Sequence, residues 1–428
     1  MTSSELALAG EFPAATRQQW EELAGEVPSS TTYDGITRAP LYTADDVPAA
    51  RGPVRHSTRW DVRQRHLTPD RAAVLDDLDN GVTSLWLAGL PAGALSELLR
   101  DIDAPVVLDA GAGTRACAEV LLEIPGARGN LGADPIGWRA RSGTEQDLAD
   151  AVDLAVRVAR DFPLLRGITV DALPYHEAGG SDAQELGCGI ATAVAYLRAL
   201  TAAGLDVDAA AAQLEFRYAA GVDQFLTIAK FRAARRLWAR ITEVSGATPV
   251  GGQLHAVTSP AMLTRRDPYV NMLRGTVACF AAGVGGADAI TVLPFDSAVG
   301  LPDPLGRRIA RNTQSILLEE STVGNVVDPA GESWYVERLT DDLAHAAWSW
   351  FTEIERAGGM PAALDSGLIA DRLAETWRAR KENLAAGVDK ITGVTEFPDP
   401  DFKPLLRPPA PTQPSGGLPR VRYAEEFE

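Results

Sequence analysis

The chain has little that would attract a polyanion or cross-link a fold. Only 40 of its 428 residues are Lys or Arg, against 58 Asp or Glu, for a formal net charge of −18. Nucleic acids and anionic lipid surfaces both call for clustered cations, so this balance argues against either as a partner. Cysteine is scarce too: Cys117, Cys188 and Cys279 lie far apart with no CxxC spacing, which speaks against a disulfide framework and a thiolate zinc site. No apolar run approaches the roughly 18 residues needed to span a bilayer. The first ten residues carry no basic region before their short apolar stretch, a poor leader peptide. These absences lead to the expectation of a cytoplasmic protein. Histidine is sparse and scattered (His56, His66, His176, His255, His345), and none stands in an Asp-x-His-x-x-Gly arrangement.

What is present is a rhythm. From about residue 83, short β-branched and apolar runs alternate with longer Ala/Leu/Arg/Glu stretches of helical period. Strands are expected at 84–88, 105–109, 129–133, 167–171, 213–217, 252–257 and 287–293, with helices between them such as 144–161, 183–203 and 227–244. Repeated β-α units imply parallel strands covered by helices. Seven units, with an eighth expected near Asn325–Asp328, suit an α/β (β/α)8 TIM barrel, whose chemistry sits at the C-terminal strand ends. An open doubly wound sheet satisfies the same pattern. The expected organisation is an N-terminal extension over 1–50, the barrel over 51–331, a helical segment over 332–397 and a proline-rich linker over 398–428. A linker that long leading to so short an end suggests a further domain beyond it in the natural protein.

Several residue groups invite chemical readings. The segment Val106-Val-Leu-Asp-Ala-Gly-Ala-Gly113 has the form of a nucleotide or S-adenosylmethionine loop, with Asp134 placed to hold a ribose. The signal is short and lies in the second repeat, so a glycine-rich barrel loop is the favoured account. Tyr175, His176 and Glu177, at the expected end of the fourth strand, form either an acid/base cluster or a polar loop entering a helix capped by Ser181 and Asp182. His255 reads first as a hydrogen-bonded core residue. Trp60-Asp-Val-Arg63 and Arg65-His66, ahead of the first expected strand, could line a barrel mouth or form a tryptophan plug with solvated arginines. Arg232, Arg235 and Arg236 share a helix at spacings of three and four, a solvated or interface stripe.

Three segments occur in a telling order: Leu173-Pro-Tyr-His-Glu-Ala-Gly-Gly180, Phe231-Arg-Ala-Ala-Arg-Arg-Leu-Trp238 and Arg308-Ile-Ala-Arg-Asn-Thr-Gln314. With Leu41-Tyr-Thr-Ala-Asp-Asp-Val47, Trp60-Asp-Val-Arg-Gln64, Asp267-Pro-Tyr269, Asp328-Pro329 and Gly358-Gly-Met360, residues from about 40 to 397 resemble the substrate-binding barrel of the cobalamin-dependent methylmalonyl-CoA mutases. The resemblance implies a (β/α)8 barrel threaded along its axis by coenzyme A and capped at its C-terminal face by adenosylcobalamin. The implied reaction is a radical rearrangement between methylmalonyl-CoA and succinyl-CoA.

At the positions where the family carries its chemistry, this chain departs from the pattern. The family's tyrosine after Arg-Gln is Arg65 here, and its histidine, three residues before Glu-Ala-Gly, is Pro174. A proline has no donor with which to polarise a thioester carbonyl. A two-residue deletion would instead make Tyr175-His176 the family's pair in a shortened loop. The segment expected to carry a carboxylate-binding arginine is shortened between Leu131 and Gly167, and His255-Ala-Val-Thr-Ser-Pro-Ala261 stands where the family has His-Cys-Gln-Thr-Ser-Gly-Trp. The chain therefore resembles the small, non-catalytic subunits of heterodimeric mutases. That implies a large catalytic subunit as partner, adenosylcobalamin bound by that partner, and no catalytic, cofactor or metal residue on this chain. An active acyl-CoA mutase of another substrate, served by a separate cobalamin protein, is the alternative; whether this barrel binds coenzyme A stays open.

Overall fold

The structure, a computed structural model, describes residues 15–48, 52–55 and 57–428. The stretch read as a poor leader, the boundary drawn at residue 50 and His56 lie outside the described residues. Eight parallel strands close into a barrel: β1 Asp61–His66, β2 Ser84–Ala88, β3 Val106–Asp109, β4 Gly129–Ala133, β5 Leu165–Asp171, β6 Leu214–Ala220, β7 Gln253–Thr258 and β8 Ala289–Thr291. Each strand pairs with the next in sequence, and β8 returns to β1 through Ala289 opposite Asp61 and Ile290 opposite Val62.

The (β/α)8 barrel is as expected, with one displaced member. The missing strand is not near Asn325–Asp328, where Val323–Asn325 forms a 3₁₀ turn. It is β1, at the start. Of its six residues only Val62 is aliphatic, so hydropathy hides it; barrel closure rather than burial of a greasy face makes it a strand. Of its arginines Arg63 is buried and Arg65 only partly exposed. Trp60, just before β1, is buried and donates from Nε1 to Gln314 Oε1 at 3.0 Å. Gln314 in turn donates to the Ile290 carbonyl of β8, so the Arg308–Gln314 motif clamps the barrel seam.

The strands alternate in character because successive side chains point to opposite faces. On β2, Leu85 and Leu87 flank Trp86; on β6, Leu214 and Phe216 flank Glu215 and precede Arg217. The aliphatic set belongs to one continuous core. The other set meets across the barrel, as described below.

Helices close each unit, among them Leu148–Asp161, Asp182–Ala202, Gln224–Val244 and Val270–Val284. Ser181 caps the second of these, accepting from Gln184 N. The C-terminal helix Trp334–Arg356 packs on the helices at 182–202 and 224–244. Met360–Asp365 and Leu368–Ala385 follow, with Pro361 in the first turn, where no helical N–H is lost. Arg232, Arg235 and Arg236 prove to be interface residues within the chain, pairing with Asp328 and Glu337, Asp288 and Asp341 respectively. The proline-rich stretch has no regular structure but is anchored by Arg407, which donates to Asp296 at 2.5 Å and pairs with Asp303 at 2.7 Å.

Candidate site at the barrel mouth

Cross-barrel contacts show what fills the lumen. Arg63 of β1 pairs with Glu215 of β6, both buried. Trp86 of β2 meets His255 of β7 edge-on, with ring centroids 5.5 Å apart. Arg217 of β6 lies 4.2 Å from the centroid of the Trp86 ring and pairs with Asp109 of β3 at 3.2 Å and Asp171 of β5 at 3.1 Å. His255 Nε2 shares a hydrogen bond with Thr291 Oγ1 of β8 at 2.8 Å. Trp86, Arg217 and His255 are 2%, 1% and 0% exposed, so the axis is packed with large side chains drawn from at least six strands.

This packing sets the local charge states. Burial, reinforced by Arg63 and Arg217, holds the His255 imidazole well below its usual range, so it is neutral. Burial alone would raise Asp109, but Arg141 and Arg217 outweigh it and hold the carboxyl below its usual range. Arg141, from the helix after β4, reaches Asp109 at 3.2 Å and Asp171 at 3.4 Å.

A second buried cluster lies beside the axis, towards the helices. Lys230 bonds to Asp182 at 2.6 Å and Glu185 at 2.7 Å, and both carboxylates outweigh burial to keep it protonated. His176 Nε2 shares a 2.6 Å hydrogen bond with Ser259 Oγ, while its Nδ1 stands 3.6 Å from Glu185. Burial, and then Lys230, push His176 down to about 3. A Ser-His-Glu sequence is thus in place, but Glu185 is committed to Lys230 and the Ala219 N–H. Ser259 Oγ also accepts from Met262 N.

The chain's own C-terminal segment crosses this end of the barrel. Leu418 N donates to Ala140 O, Val421 N to Glu177 O and Tyr423 N to Ala261 O, at 2.7, 2.8 and 2.9 Å. The strap therefore runs along the rim from the helix after β4 to the loop after β7. Tyr423 stacks on Trp377 with centroids 6.2 Å apart and stands edge-on to His176 at 6.4 Å. Arg380 lies over its ring.

The residues singled out by sequence fall as follows. Pro174, Tyr175 and His176 are buried in a short helix, Leu173–Glu177, beyond β5, the fifth strand rather than the fourth. Glu177 pairs with Arg420 of the strap at 2.6 Å. Arg65 lies over Trp86, 5.1 Å from the ring centroid. Gly111 is needed for packing: its φ is +54°, and a Cβ there would fall 2.1 Å from the Trp138 ring. Asp134, read as a possible ribose contact, is buried, accepts from Tyr196 Oη at 2.5 Å, and caps the helix that Pro135 opens. Sequence reasoning missed Trp86, Asp109, Arg141, Asp171, Glu215 and Arg217 as one constellation. The signal lay in Leu214-Glu-Phe-Arg217, where charge occupies the alternate positions of a strand.

Comparison with known proteins adds a second line of observation. The family model described as methylmalonyl-CoA mutase matches residues 142–410. A methylmalonyl-CoA mutase small subunit from Streptomyces virginiae is 54% identical, across 99% of this chain and 77% of that protein. The small subunit from Propionibacterium freudenreichii subsp. shermanii is 39% identical, across 100% of this chain and 76% of that one. A methylmalonyl-CoA mutase large subunit from Porphyromonas gingivalis is 35% identical over 59% of this chain and 36% of its own length.

Proposed function

The chain belongs to the methylmalonyl-CoA mutase family, and from that premise we propose that it is a non-catalytic small subunit. On this reading it pairs with a large subunit that binds adenosylcobalamin and interconverts methylmalonyl-CoA and succinyl-CoA. The division at residues 50, 331 and 397 follows the same reading, with the N-terminal extension facing the partner.

The observation that carries the proposal is the filled lumen. A substrate threaded along the axis would have to displace Trp86, Arg217 and the buried Arg63–Glu215 pair. Separating such a pair by removing one partner costs about 3–5 kcal/mol, and no compensating contact is in sight. The C-terminal face does not fit a corrin either, because Leu418–Ala424 crosses part of it through three main-chain hydrogen bonds. Pro174, at one counted position of the family histidine, offers no donor; His176, at the other, is neutral and engaged with Ser259. An active mutase served by a separate cobalamin protein has no such observation in its favour.

The test is reconstitution with the large subunit from the same organism. With adenosylcobalamin, the small chain alone should give no succinyl-CoA. In the complex, His176→Asn should leave turnover per large subunit unchanged. A hundredfold loss in that variant, or turnover by the chain alone, would overturn the proposal.

A further inference from the structure

We propose that the barrel mouth binds a small oxyanion, a carboxylate or phosphate group, gripped by Arg65 and Arg217 at the indole of Trp86. This inference goes beyond the scaffold role and needs no partner subunit.

The first observation is an arginine with no direct ion pair among the described residues. Arg65 follows Arg63 by two residues on β1 and sits beside Trp86 of β2 in register, so it faces the lumen as Trp86 does. Its guanidinium lies over the Trp86 ring and, among the described residues, makes no hydrogen bond and no ion pair; the carboxylates that act on it, Glu177 and then Asp109, are each paired with other arginines. Burial pushes its pKa down to about 10, still fully charged at neutrality. A withdrawn, unpaired guanidinium is costly unless something of opposite charge reaches it.

The second observation is independent and lies on another strand. Arg217 is 1% exposed. Its Nη1 serves Asp109 and Asp171 and its Nε points to His255 Nδ1 at 3.4 Å, yet its buried Nη2 has no partner. Arg141 Nε on the rim is likewise buried and unpartnered.

The local charge leaves room for one anion. Arg65, Arg141 and Arg217 face Asp109 and Asp171, a surplus of one cation. Glu177 does not cancel it, because Arg420 pairs with it. His255 is neutral, and Asp134, raised by burial and by Asp171 to about 7, carries only part of a charge at neutral pH.

The geometry also limits the ligand. A planar guanidinium matches carboxylate or phosphate through two parallel N–H···O bonds. The lumen beneath is filled, so a group that docks here cannot thread further. Arg65 and Arg141 are partly exposed, so the group enters from solvent beside the strap rather than through the barrel. A free anion and the terminal group of a larger metabolite would look alike at this point, and the titration separates inorganic phosphate from malonate as representatives of the two chemistries.

The experiment uses the full chain alone, titrated with sodium phosphate and with malonate at constant ionic strength set by chloride, read by the ¹⁵N–¹H resonance of the Trp86 indole and by calorimetry. Saturable binding of at least one anion is expected, with the Trp86 resonance moving on the same isotherm. Arg65→Met should weaken that binding at least tenfold, whereas Arg160→Met, at an exposed arginine paired with Asp161, should leave it within twofold. Because Arg65 makes no hydrogen bond, Arg65→Met should fold and should melt no lower than the parent in anion-free buffer. Absence of saturation with both anions, or an Arg65→Met protein that binds as tightly as the parent, would overturn the proposal. Should that variant fail to fold, the wild-type Trp86 resonance decides: a shift that does not saturate refutes the site.

Discussion

The two faces of the same eight strands are built by different rules. The outer face, towards the helices, is aliphatic and continuous: Leu85, Leu87, Leu108, Val170, Phe216 and Leu254 are nearly inaccessible and share one core. The inner face carries Arg63, Trp86, Asp171, Glu215, Arg217 and His255, nearly as withdrawn from water as the aliphatics, with Asp109 partly exposed beside them. The outer face works by area, since burying apolar surface is favourable whatever the detailed partner. The inner face works by matching, since each charge there is tolerable only while its counterpart stays in place. A barrel that must admit a ligand along its axis cannot be closed this way. The contrast explains how the scaffold persists while its interior differs from a substrate channel.

Substitutions can break this contrast in order of expected effect. Glu215→Leu leaves Arg63 with only the half-buried Asp61, at 3.3 Å, as a carboxylate partner, and should cost about 3–5 kcal/mol by urea unfolding. Pairing it with Arg63→Met should recover most of that loss, because an apolar pair of similar volume removes the charge that had been stranded. If the double variant were as unstable as the single one, the lumen would not work by matching. On the outer face, Leu87→Ala should cost about 2–5 kcal/mol through a cavity, with no second substitution across the barrel able to restore it.

Acidity should separate the two faces further. His176 titrates near 3 in the folded chain against about 6.5 when unfolded, so below 6.5 the unfolded chain takes up protons that the folded one refuses. Its contribution is complete above pH 6.5 and is lost progressively as pH falls towards 3. The denaturation midpoint of His176→Asn should accordingly vary less with pH over that range than the parent's, and parallel curves would show that His176 is not held neutral. Least costly should be Arg420→Ala on the rim, where the strap's partly exposed ion pair with Glu177 is worth about 0.2–1 kcal/mol.

The outer face was legible in the sequence because alternation and strand length are local properties. The strands at 84–88 and 129–133 coincide with those of the structure, and the helix at 183–203 differs by one residue at each end. β1 escaped notice because Asp61-Val-Arg-Gln-Arg-His66 has one aliphatic residue, and a pattern search places such a stretch in a loop. The missing eighth repeat was then sought at the wrong end of the barrel. The departures at Arg65 and Pro174 were visible by counting from motifs. What filled the axis was not, because Arg63–Glu215 and Trp86–His255 join residues far apart in sequence on strands that meet only when the barrel closes. The strap was read as a linker for a related reason: proline content forbids regular structure but says nothing of where Tyr423 lodges.

The central claim is that this filled barrel serves as a partner for a catalytic subunit. The most direct measurement is light scattering during size-exclusion chromatography of the chain, alone and mixed with the large mutase subunit from the same organism. The account predicts a one-to-one complex whose mass is the sum of the two chains. Separate elution of both proteins at concentrations well above those of the activity assay would contradict it.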